Sequence, residues 1–104
     1  MAIRKTRDEK IVVQGNIEDW LIKSEESLIK SNFKKIKVNK TINQITGTYK
    51  TLTCFGEISI TLYSINSVTE QTEILIKSTA NIDNLYALFK SPNKTIISLY
   101  KDNL

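Results

Sequence analysis

Apolar residues change their spacing once along this chain, from every third or fourth position to every second, and the change separates a helix from the strands after it. A short β-rich run, Ile11-Val12-Val13, comes first and stops at Gly15-Asn16. Asn16 suits the N-cap, because its side-chain oxygen accepts from a backbone N–H that has no partner in the first helical turn. Glu18 and Asp19 then set negative charge against the positive end of the helix dipole, so a helix begins near Ile17. Ile17, Trp20, Leu21, Ser24 and Leu28 form its buried stripe, and Ile22 with Ile29 widens that stripe on one side. Glu25, Glu26 and Lys30 are left toward water. The helix ends around Ser31-Asn32, since Asn tolerates the left-handed backbone of a C-terminal cap.

From Lys35 the period is two. Lys35 to Val38, Ile45 to Lys50, Glu57 to Tyr63 and Glu73 to Ser78 each alternate polar with apolar, and polar turns within Asn39 to Gln44 and Asn66 to Glu70 join the first pair and the last. Four alternating strands with short connectors predict an antiparallel meander. One face carries Ile36, Val38, Ile45, Tyr49, Ile58, Ile60, Leu62, Ile74 and Ile76; the other carries Lys35, Lys37, Lys50, Tyr63, Leu75 and Lys77 among threonines and a serine. A sheet that is dry on one side and wet on the other takes its helices on the dry side only.

In the tail Ile82, Leu85, Tyr86 and Phe89 have helical spacing, and Ser91-Pro92 has the form of a fresh helix start with Pro at the first helical position. Ile96, Ile97, Leu99 and Tyr100 continue an apolar stripe. The pattern leaves open whether Asn81 to Leu104 is one kinked helix or a loop followed by one helix. The expected fold is therefore α+β: a four-stranded antiparallel meander plus a short N-terminal strand, with an N-terminal and a C-terminal helix on one face, in the order βαββββα. Residues 1–8, charged and aperiodic, read as a flexible N-terminus, and residues 9–104 as a single domain.

Composition narrows the function more than it reveals it. The 104 residues are 40% hydrophobic and 25% charged, near the globular average, and 15 Lys and Arg against 11 Asp and Glu give a net charge of +4. That modest excess attracts phosphates or acidic surfaces weakly. No run approaches the roughly 18 apolar residues of a membrane span, and no apolar leader follows Met1, so the expected location is cytoplasmic. One cysteine, Cys54, forms no internal disulfide, and with no histidine to generate its thiolate it reads as a small buried hydrophobe. The missing histidine also takes away the ligands that dominate zinc and copper sites, and three glycines are too few for a phosphate loop. No enzyme, cofactor or metal site is expected. Trp20 reads as core at the helix–sheet interface, with an indole N–H in need of a partner.

Phe55-Gly56-Glu57-Ile58-Ser59-Ile60, and later Leu88-Phe89-Lys90-Ser91-Pro92-Asn93-Lys94-Thr95-Ile96, resemble segments of small bacterial proteins of unknown function that have a TATA-box-binding-protein-like (TBP-like) fold. The likeness covers about residues 10 to 104 and implies the βαββββα order, with no activity attached. Where such relatives carry an Asp-aromatic-Gly pair before the Asn-Lys segment, this chain has Lys90-Ser91-Pro92. Phe55, Gly56 and Glu57 read as a structural turn, Gly56 supplying a positive φ and Glu57 a carboxylate to hold the loop.

The uncovered sheet face is the candidate binding surface, with Lys35, Lys37, Lys50, Tyr63, Leu75 and Lys77 as its residues. The first expectation is a non-enzymatic binding or accessory domain that docks a protein partner, or a second copy of itself, through this face or the sheet edge, helped by exposed Leu52 and Phe55. The alternative is weak, sequence-nonspecific nucleic-acid binding, in which lysines follow the phosphates and Tyr63 offers a stacking platform. Glu57 and Glu73 share the face and count against it.

Overall fold

The computed structural model describes residues 4–51, 55–66, 70–81 and 92–104. Its elements are β1 (Arg4–Gln14), α1 (Ile17–Lys30), β2 (Lys34–Asn39), β3 (Gln44–Lys50), β4 (Phe55–Asn66), β5 (Gln71–Asn81) and α2 (Pro92–Asp102). The strands form one antiparallel sheet in the order β1-β5-β4-β3-β2, so the meander runs from one edge and β1 closes the other against β5.

The register puts the dry residues in rows. Ile45 faces Ile60, which faces Ile76, and Leu62 faces Ile74, which faces Ile11. Both helices lie on this face: Leu28 of α1 sits over Gly47, and Ile96 of α2 sits over Gly56. Leu28, Ile45, Ile60, Ile74, Ile76, Ile96 and Tyr100 are fully enclosed between the layers. Burying each of the aliphatic ones contributes about 1.5–3 kcal/mol, which makes this one cluster the main source of stability.

Local chemistry sets the ends of α1. The Asn16 side chain accepts from the Asp19 backbone N–H at 2.8 Å, as an N-cap should. Asn32, at φ 67°, ends the helix: its N–H reaches the Ile29 carbonyl and the Phe33 N–H the Leu28 carbonyl, and Phe33 then folds into the core. Before the helix, Gly15 at φ 123° turns the chain out of β1 and donates to the Glu70 carbonyl, while the Trp20 indole donates to the Gln14 carbonyl at 2.7 Å. Half-buried Trp20 thus clamps the β1–α1 turn, and this bond supplies the partner its indole requires.

Three expectations are corrected. Residues 4–8 belong to β1, an 11-residue strand, because ladder bonds to β5 do not depend on side-chain periodicity; charges sit on both of its faces, Glu9 meeting Lys101 of α2 at 3.0 Å and Lys10 meeting Glu73 at 3.0 Å. Ile22 and Ile29 are 58% and 59% exposed rather than part of the buried stripe. At 100° per residue they stand about 120–140° from Ile17 and face away from the sheet. Phe55-Gly56-Glu57 is no turn; these residues open β4, and Gly56 is extended, paired with Tyr49 and Ala80. A Cβ there would lie 2.6 Å from the Ile96 side chain and 2.8 Å from the Thr79 carbonyl oxygen, so the glycine exists for close approach of α2, not for backbone turning. Cys54, Leu52 and residues 82–91 lie outside the described residues, and of the tail only the helix opened by Pro92 is decided.

Candidate binding face

Alternation builds the outer face of the sheet as cleanly as the core. Across the five strands one row reads Lys37, Thr46, Ser59, Lys77, Asp8, and the next reads Lys34, Thr48, Glu57, Thr79, Thr6. The two rows enclose a shallow concavity of about 520 Å³ rimmed by Lys35, Lys37 and Lys77, with Thr46, Thr48 and Ser59 on its floor. Among the described residues these three lysines have no anionic partner.

Lys35 arrives there by a bulge. Lys34 pairs with Thr48 and Lys37 with Thr46, so β2 carries one residue more than β3 over this step. Lys35 takes the extra position at φ 54°, a left-handed backbone that a non-glycine residue adopts at a cost of about 1–2 kcal/mol. The bulge brings Lys34 onto the wet face beside Lys37 and lets Ile36 pack against the core.

Of the six residues the sequence singles out, the structure gathers Lys35, Lys37 and Lys77. Lys50 sits one row past Thr48, its ammonium 5.9 Å from the Phe55 ring centre. Tyr63 and Leu75 lie toward the opposite end, where Tyr63 faces Glu73, Glu73 faces Val12, and Leu75 faces Thr61 and Lys10. Val12 is 55% exposed, Tyr63 50% and Ile65 48%, so this end shows apolar side chains around the Lys10–Glu73 ion pair, while the concavity is rimmed by lysines. Val12 and Ile65 were not legible as members of the face: placing Val12 needs the β1–β5 pairing, and Ile65 lies beyond the regular alternation, where the β4–β5 register shifts.

The inner face holds polar groups too, and the buried serines among the described residues serve packing. Ser24, Ser27 and Ser31, spaced by three and four along α1, let α2 approach closely; Ser24 shares a hydrogen bond with the Tyr100 hydroxyl at 2.7 Å, Ser27 donates to the Tyr100 carbonyl, and Ser31 donates to the Leu99 carbonyl at 3.0 Å. Burial pushes the Tyr100 phenol up to about 12, partly opposed by the Ser24 hydrogen bond. Ser78 donates to the Asn93 side chain at 2.8 Å. The two quoted motifs therefore meet: Gly56 receives Ile96, and Asn93 of the same helix turn ties to β5 opposite Ile58. No group of three or more His, Cys, Asp or Glu is placed to hold a metal among the described residues. Nor is any helix among them long and apolar enough to cross a membrane.

Together these features define an α+β domain that buries one sheet face under two helices and, among the described residues, leaves the other uncovered. Solved structures of norcoclaurine synthase from Thalictrum flavum share the fold. A truncated form aligns over 98% of this chain and 91% of its own at a TM-score of 0.65 and 7% identity. The same synthase in complex with dopamine and hydroxybenzaldehyde aligns over 98% and 84%, at a TM-score of 0.62 and 7% identity. At that identity the likeness is one of fold alone. The sequence matches no protein family and no curated protein.

Proposed function

We propose that this chain is a non-enzymatic, cytoplasmic binding domain of TBP-like βαββββα architecture, and that a protein partner or a second copy docks on the outer face of its sheet. The observation that carries the reading is the division of that face into a cationic concavity at Lys35, Lys37 and Lys77 and an apolar end at Val12, Tyr63 and Ile65. Cations with no anionic partner among the described residues, beside exposed apolar groups, suit an acidic, partly apolar surface, where the apolar contact supplies affinity and the charges set orientation. The non-enzymatic part rests on two points: the chain has no histidine, and its buried serines, asparagine and tyrosine are spent on helix–helix and helix–sheet hydrogen bonds.

Lysine acylation footprinting tests this. Lys35, Lys37 and Lys77 should label more slowly in native lysate than in dilute purified protein, with Lys40 as the internal reference; equal labelling at all four overturns the reading.

The same three lysines favour one second reading, weak binding of single-stranded nucleic acid. Against it stand Glu57 in the concavity and the position of the outward aromatics Tyr63 and Phe55, which lie beyond it at opposite ends rather than within it. Oligonucleotide affinity that falls steeply with salt and is lost in the Lys35→Glu, Lys37→Glu variant would favour it over protein docking; affinity indifferent to both excludes it.

A further inference from the structure

The outward side of α1 is the second unexplained surface of the molecule. Ile22 and Ile29, seven residues apart, stand almost directly above one another on the helix and are 58% and 59% exposed. Glu18, Glu25 and Glu26 flank them at three- and four-residue spacing, so the helix shows an apolar ridge bordered by carboxylates. Large aliphatic residues repeated on the solvent side of a helix are unusual for a surface that stays wet.

The outer sheet face is complementary to this ridge in charge and in apolar character. Along β5 the outward residues Leu75 and Lys77 are about 7 Å apart. Ile22 and Glu26 are about 6 Å apart along the helix axis, so an aliphatic side chain set on the Tyr63–Leu75 end brings a carboxylate to the cationic concavity.

Resting on the reading of the sheet face as a docking surface, we infer that its occupant is a second copy of this chain, whose α1 ridge at Ile22 and Ile29 seats on the outer face with Glu25 and Glu26 toward Lys35, Lys37 and Lys77. The ridge and the sheet face lie on opposite sides of the molecule. The contact is therefore heterologous, each copy offering its helix to one neighbour and its sheet to the next, and assembly grows with concentration rather than stopping at a symmetric dimer.

Sedimentation velocity over a concentration series, using the whole chain, tests this. Wild type should grow past the dimer as concentration rises. Glu25→Lys with Glu26→Lys, and separately Lys35→Glu with Lys37→Glu, should each weaken association at least about tenfold, as like charges then face each other. Mixing the two variants in equal amounts should restore it, since each then meets an opposite-charged neighbour. Glu26, Lys35 and Lys37 are exposed and Glu25 is half-buried, and an unchanged thermal midpoint confirms that the variants fold. A strictly monomeric wild type overturns the inference, and so does a mixture that fails to reassociate. Loss in the sheet variant alone indicates sheet-to-sheet pairing and overturns it as well. In any of these cases protection of Lys35, Lys37 and Lys77 in lysate would still stand for the broader reading.

Discussion

Tyr100 shows how one buried hydroxyl makes stability depend on pH. Its ring is fully enclosed between α1, α2 and the sheet, and its phenol pairs with Ser24. Ionising it would strand a charge in that layer, so burial raises its pKa from 10.0 to about 12. A raised value means the folded state holds its proton more tightly than the unfolded chain. The stabilisation is complete below pH 10 and is lost as pH climbs from 10 to about 12, on the order of 2–3 kcal/mol in all. Urea unfolding of wild type should therefore show its midpoint falling through this window. Tyr100→Phe should lose about 0.5–1.5 kcal/mol at neutral pH with the Ser24 bond, yet show a shallower alkaline fall. Parallel alkaline curves for the two proteins would disprove the assignment.

At the level of elements, the distance between α2 and the sheet is set by two small residues, one of which patterning alone misreads. Gly56 lets Ile96 descend onto β4, and Ala80 beside it on β5 keeps the same corner shallow. Gly56→Ala places a methyl 2.6 Å from Ile96 and 2.8 Å from the backbone oxygen of Thr79, and backbone cannot rotate away. The expected loss is about 1–3 kcal/mol in urea unfolding, from overpacking rather than from a forbidden φ. Ile96→Val combined with it should recover part of that loss by drawing back a methyl; no recovery would argue against the contact. From sequence Gly56 looked like a turn because strand alternation there begins only at Glu57, and nothing local announces a helix arriving from 40 residues away. The parity of β3, β4 and β5 was legible for the opposite reason, since alternation of Ile58, Ile60 and Leu62 is written in the strand itself. The length of β1 was not: its charged residues are held by backbone bonds to a strand some 70 residues distant. The position of Ile22 and Ile29 was available from helical angles and was missed by grouping them with their neighbours.

For the molecule as a whole, the cationic rim is built partly on strained backbone, which sets stability and association in opposition at one residue. Lys35 holds φ 54° at the β2 bulge, a conformation that glycine takes freely. Part of the site was readable, because Lys37 and Lys77 follow strand parity. The bulge was not, since no glycine marks it and Lys35 falls on the wet face by simple alternation as well. Two roles compete for the residue. As an edge device, a twisted bulge in β2 discourages other strands from pairing there, and any residue tolerating the left-handed region would serve. As a rim cation, only a positive side chain serves. Lys35→Gly separates them: relief of the backbone, offset by glycine's greater freedom in the unfolded chain, should leave stability level or raise it by about 1 kcal/mol. Self-association should weaken by a few fold at low salt and converge with wild type at high salt, where screening silences the lost charge. A variant that gains stability and associates as wild type does would assign Lys35 to edge protection, and the cationic rim would then rest on Lys37 and Lys77 alone.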